Sequence, residues 1–192
     1  MDGRLPYLRT LVVGDCPSLT SLSLFKHLTA LEFLLINNCE ELSLTEEDDN
    51  ENLKLSLHTL MIVKFPKLEV LPQWLQGSAN TLQHLDIVDC QNFKTLPEWL
   101  PSVKSLQKLR IDDCPKLSSL PEGMQPLTAL RELKIGGSPK LSRRCRKEDG
   151  PKIAHVPVVE LREDYGQICR YKFVKAPEDD EDEEEFNTSH NQ

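Results

Sequence analysis

Several things are scarce in this chain. Only 6% of its 192 residues are aromatic, and the hydrophobic share of 39% is below that of a typical globular domain. No stretch approaches the roughly 20 consecutive apolar residues that cross a bilayer, so no membrane span is expected. The opening residues, MDGRLPYLRT, lack the basic start and apolar run of a secretory signal. Without an export signal, the six cysteines are expected to be reduced thiols in the cytoplasm and not a disulfide framework. A basic excess is missing as well. The formal charge of -8 is carried by eight consecutive acidic residues, Glu178 to Glu185. Outside that run, 23 acidic residues face 23 Lys plus Arg, and this neutral body has no basic face with which to displace counterions from nucleic acid.

The motifs of chemistry are absent in the same way. There is no phosphate-binding G-x-x-x-x-G-K-[ST] loop, no G-x-G-x-x-G and no serine in a G-x-S-x-G turn. No C-x-x-C pair gives zinc-ligand spacing. The acidic run lacks the spaced ligands and glycine of a calcium loop, so it reads as a solvating tail. The chain is therefore expected to be no enzyme and to hold neither cofactor nor metal.

What the chain does have is a repeat. The pattern Leu-x-x-Leu-x-(Ile/Val)-x-x-Cys, or a near match, starts at Leu8, Leu31, Leu57, Leu82, Leu106 and Leu130, with spacings of 23, 26, 25, 24 and 24 residues. Alternation about Leu-x-Ile is the period of a strand with one buried face. Each strand is too short to stand alone and must pair with its counterpart in the next repeat, about 4.8 Å away. The predicted fold class is α/β: a leucine-rich-repeat solenoid with a curved parallel sheet on its concave side and short helical or irregular segments on its convex side. Leu19 and Leu22, Leu68 and Leu71, Phe93 and Leu96, and Leu117 and Leu120 recur as inward anchors on the return half. Pro17, Pro66, Pro115 and Pro139 mark the ends of strands, whereas Pro72, Pro97 and Pro121 suit the first turn of short helices. The acidic stretch TEEDDNENLKLS lengthens the second repeat as a surface loop. Ile153, Val156, Val158 and Leu161 repeat the spacing of Leu130, Leu133, Ile135 and Ser138, so residues 153–161 are expected to form a closing strand. The solenoid should then cover residues 1–161, with a C-terminal extension over 162–176 and a disordered acidic tail over 177–192. No cap precedes the first leucine layer, which suggests a piece of a longer chain.

Cys16, Cys39, Cys90 and Cys114 share one repeat position, where a small buried side chain suits the bend out of the strand. Cys145 and Cys169 fall outside that phase. His58 and His84 occupy neighbouring strands and are expected to approach one another as a solvated pair. Binding is expected on the outward face of the sheet. There the column Val12, Leu35, Met61, Asp86, Arg110, Lys134 passes from apolar to acidic to basic. Exposed Phe33, Leu35 and Met61 would form an apolar patch, with Lys108, Arg110, Arg131 and Lys134 as a basic end. With His58, His84 and Asp86, these residues make up the expected partner-binding set.

The segments CPKLSSLPEGMQPLTALRELKIGGSPKLSRRC and DGPKIAHVPVVEL resemble the C-terminal repeats of plant intracellular immune receptors. These are the coiled-coil, nucleotide-binding, leucine-rich-repeat disease-resistance proteins. The arrangement of Cys145 followed by Pro151 to Pro157 is the most specific part, and the likeness covers about residues 8–161. It implies a plant origin, a cytoplasmic location, and roles in defence recognition and autoinhibition. The implied partners are a pathogen effector, a guarded host protein, or the receptor's own nucleotide-binding domain. The nucleotide-binding and coiled-coil regions of that family have no counterpart in these residues. A general leucine-rich-repeat adaptor or substrate receptor is the alternative reading.

Overall fold

The computed structural model describes residues 7–22, 27–44, 55–162 and 169–171. Within these residues one sheet runs through the molecule in sequence order. Its strands are β1 (Thr10–Gly14), β2 (Phe33–Asn37), β3 (Thr59–Val63), β4 (His84–Val88), β5 (Lys108–Asp112), β6 (Glu132–Gly136), β7 (Val158–Leu161) and β8 (Cys169–Tyr171). The first seven pair in parallel, and β8 adds antiparallel to β7. The architecture is α/β with few helices. Among the described residues these include the α-helices α1 (Pro139–Cys145) and α2 (Gly150–Ile153) and the 3-10 turns Gln73–Ser78 and Leu100–Ser102.

The register follows from leucine. Leu34, Leu60, Leu85, Leu109 and Leu133 face one another across consecutive strands, as do Ile36, Ile62, Ile87, Ile111 and Ile135. All ten are buried and join the first leucine of each unit in a continuous core. A slip of one residue would turn every one of these side chains to the outer face, so burial sets the pairing strongly. Phe93, Leu96, Leu117 and Leu120 close the core from the return half, together with Leu68 and Leu71, as their spacing predicts. Leu19 and Leu22 are only partly buried, because they lie at the end of the stack.

The bend out of each strand uses one backbone device six times. Asp15, Asn38, Lys64, Asp89, Asp113 and Gly137 occupy equivalent positions with φ between 50° and 56°. This left-handed conformation suits Gly, Asn and Asp. It turns the chain while the residue's N–H still reaches the next strand, as Asp89 does to the Asp112 carbonyl at 2.9 Å. The cysteine that follows then points inward. Cys39, Cys90 and Cys114 have no exposed surface, and each thiol donates to the carbonyl two residues earlier at 3.3 to 3.5 Å. Ser138 fills the place in the sixth unit, where its hydroxyl accepts the Cys114 N–H at 3.1 Å. The second proline set behaves unevenly. Pro72 caps a 3-10 turn, whereas no helix follows Pro121, and the α-helix instead opens at Pro139.

The closing strand lies in a different register from the one its spacing suggested. Val159 pairs with Leu133 and Leu161 with Ile135, so Val156, Val159 and Leu161 take the core positions, and the last unit is 26 residues long. Ile153 belongs to α2 and Val158 faces outward, 41% exposed. The cause is the insertion of α1 and α2, which makes this unit three residues longer than the 23 its spacing suggested and two longer than each of the two units before it. A buried ionic cluster holds that insertion to the fifth unit. The Asp149 carboxylate accepts the Leu120 N–H at 2.9 Å, the Lys152 ammonium at 2.9 Å and the Arg144 guanidinium at 3.3 Å. Lys152 also donates to the Leu120 carbonyl at 3.1 Å and pairs with Glu122 at 2.7 Å. Of the expected outer segments, 1–6, most of the TEEDDNENLKLS loop (45–54) and the tail 177–192 lie outside the described residues. So does the extension over 162–176, apart from Arg162 and β8.

Candidate functional site on the outward sheet face

Alternation places three columns of side chains on the outward face. The middle one runs Val12, Leu35, Met61, Asp86, Arg110, Lys134 and Glu160, each directly opposite the next. Beside it run Thr10, Phe33, Thr59, His84, Lys108, Glu132 and Val158 on one flank, and Gly14, Asn37, Val63, Val88, Asp112 and Gly136 on the other. The apolar members gather toward β1 to β3 and the charged members toward β5 to β7.

The apolar half is more enclosed than expected. Phe33, Leu35 and Met61 are half-buried and not freely exposed, since a strand on either side shields each of them. Val12, on the first strand of the sheet, is 58% exposed. Val63 and Val88 lie on the same face beside them.

The charged half is a lattice of ion pairs. Glu132 receives Lys108 at 3.0 Å and Lys134 at 2.5 Å, and Lys134 also approaches Glu160 at 3.8 Å. The hydrogen bonds from Lys134 and then Lys108 hold the Glu132 carboxyl below its ordinary pKa, and the same contact raises that of Lys134. Asp112, almost fully buried, takes Arg110 at 2.9 Å and Arg162 at 2.7 Å on one oxygen. The expected basic end is thus mixed in sign. Of its four cations, Arg131 alone is left exposed without a carboxylate among the described residues. Sequence reasoning missed Asp112, Glu160 and Arg162 as members of this face. Glu160 was lost with the register of β7, and Arg162 lies beyond the expected closing strand. Asp112 carried a legible signal, standing two residues after Arg110 on the same face of one strand.

Between the two halves sits Asp86. Burial raises its carboxyl pKa, against the pull of Arg110, His84 and Lys108. It has no ion pair within the described residues, so these cations act on it only from a distance. His84 stands beside it, its ring Nδ1 3.5 Å from the Thr59 hydroxyl. His58 lies in the preceding column, linked to His84 only through a backbone hydrogen bond of 3.0 Å. The register therefore sets His84 against Thr59, not against His58. Among the described residues no group of three or more His, Cys, Asp or Glu could hold a metal ion, and no helix is long and apolar enough to cross a membrane. Cys145, buried in α1, has its thiol pKa pushed up to about 12, chiefly by burial. It is a packed thiol and not an activated nucleophile. No family model matches the chain, and no curated protein matches it either.

Proposed function

We propose that the chain is a leucine-rich-repeat solenoid over residues 1–161 and that its outward sheet face recognises a protein. In this reading it works in the cytoplasm as the sensing part of a plant intracellular immune receptor, and it is not an enzyme. The observation that carries the reading is the middle column. An apolar stripe (Val12, Leu35, Met61) meets Asp86, which has no ion pair within the described residues, and then a self-neutralised ion lattice, all on one continuous surface. Such a surface suits a protein partner, which supplies apolar anchors and a matching polar rim. The resemblance of the 114–161 region to the C-terminal repeats of disease-resistance receptors supplies the biological class. A nucleotide-binding region encoded directly upstream would favour the receptor over a general adaptor.

One partner should span both halves of the face. The test is capture from host and pathogen extracts, comparing the wild-type chain with R110E/K134E. The expected outcome is a protein retained by the wild type and bound at least about tenfold more weakly by the variant, a loss of about 1.4 kcal/mol. Unchanged affinity would overturn the spanning contact.

A further inference from the structure

The helix α1 carries a charge pattern that the sheet face does not explain. Leu141, Ser142 and Cys145 face the core, while Lys140, Arg143 and Arg144 stand at i, i+3 and i+4 on the opposite side and Lys147 follows in the turn after the helix, its N–H bonded to the Arg144 carbonyl at 2.9 Å; all four are exposed. Positions so spaced lie on one helix face, so like charges gathered there repel one another unless an anion intervenes. Arg144 is satisfied by Asp149 at 3.3 Å and Glu148 at 3.7 Å. No carboxylate of the described residues pairs with Lys140, Arg143 or Lys147. The contrast with the sheet is sharp, since Lys108, Arg110 and Lys134 there all have acidic partners.

The same chain holds the complementary charge. Its longest acidic run, Glu178–Glu185, begins seven residues after Tyr171, the last residue of β8. β8 lies antiparallel on β7, with Cys169 beside Leu161 and Tyr171 beside Val159, so the chain leaves β8 at the end of β7 away from Arg162, whose carbonyl accepts the Ser142 hydroxyl of α1 at 3.2 Å. Seven residues span up to about 25 Å when extended, whereas α1 is only about 10 Å long. The link and the run together extend up to about 50 Å, several times the length of α1. Tethering at such a length sets an effective concentration of order millimolar, enough to populate an ionic contact that would be weak between separate molecules.

We propose that the cationic stripe formed by Lys140 and Arg143 on α1 and Lys147 in the turn after it is the docking site for the chain's own acidic segment, Glu178–Glu185. The contact lies apart from the outward sheet face, so it stands or fails independently of the recognition reading.

The test is zero-length carbodiimide crosslinking of the full chain, using a mixture of isotopically light and heavy protein and peptide mass spectrometry. Lys140 and Lys147 should join residues 178–185 within single chains, without mixed-isotope pairs. The yield should fall at least about fivefold at 1 M NaCl, where the screening length shrinks to about 3 Å. The variant R143E, which keeps both lysines and changes only an exposed side chain, should lower the yield similarly at low salt. Crosslinks spread over Lys64, Lys94 and Lys104 according to exposure would overturn the proposal. So would crosslinks formed only between chains, or a yield that ignores R143E.

Discussion

Lys64 holds a left-handed backbone conformation, φ 50°, at the position where the other repeats place Asp, Asn or Gly. A long side chain there has no local hydrogen bond to offset the strain, while the turn itself is imposed by the repeats on either side. Replacing Lys64 with Asn should therefore stabilise the fold by about 0.5–1 kcal/mol. A rise in the urea midpoint without a change in slope would show it, and an unchanged or lower midpoint would contradict it. Asp149 lies at the other extreme, a carboxylate with no exposed surface. Burial pushes its pKa upward, but the Leu120 N–H and the Lys152 ammonium outweigh that effect and hold it below the ordinary range. A depressed folded-state pKa contributes stability that is present above the unfolded value of about 3.9 and is lost as pH falls through the folded value. Asp149→Asn should leave Lys152 with only the exposed Glu122 as its anion and remove the charge that holds Arg144 and the Leu120 N–H, costing roughly 3 kcal/mol at neutral pH. It should also flatten the loss of stability below pH 4. Denaturation midpoints across pH 2 to 7 give both readings, and parallel curves for the two proteins would remove Asp149 as the cause.

At the scale of elements, the strands were legible because each reports itself twice, through Leu-x-Ile alternation and through its distance to the next. Six of the seven parallel strands lie where the repeat places them. The seventh exposes the limit of spacing as a guide. Ile153, Val156, Val158 and Leu161 matched the earlier series in chemistry and in separation, yet α1 and α2 lengthen that return, and the true core set is Val156, Val159 and Leu161. Apolar residues three and five apart occur in both registers of IAHVPVVEL, and only the packing of α2 decides between them. The outward face was readable as a list of residues but not as a field of charge. Lys108, Arg110 and Lys134 look basic in sequence, while Glu132 and Glu160 answer Lys108 and Lys134 from neighbouring strands, across a pairing set by the three-dimensional register; Asp112, two residues after Arg110, was readable within its own strand. The cysteine column was legible at Cys39, Cys90 and Cys114, which are buried, whereas Cys16 in the first unit is only partly so.

At the scale of the whole molecule, seven parallel strands carry a gradient. The outward face begins apolar at β1 to β3, turns at Asp86, and ends in paired charge at β5 to β7. Paired ions on a surface add little net attraction for a partner, because each charge is already answered. The affinity of the proposed recognition face should therefore come mainly from Leu35 and Met61, while the ion lattice fixes orientation and its reversal in R110E/K134E weakens binding by setting like charges against each other. The most direct measurement is the dissociation constant for the captured partner, by titration calorimetry, with the wild-type chain and with L35D/M61D. Lys94→Glu, on the return half of the repeats and away from this face, is the control. The account predicts at least a tenfold weaker complex for L35D/M61D, with circular dichroism unchanged and the control within about twofold of wild type. Wild-type affinity in L35D/M61D, or an equal loss in the Lys94 control, would contradict it.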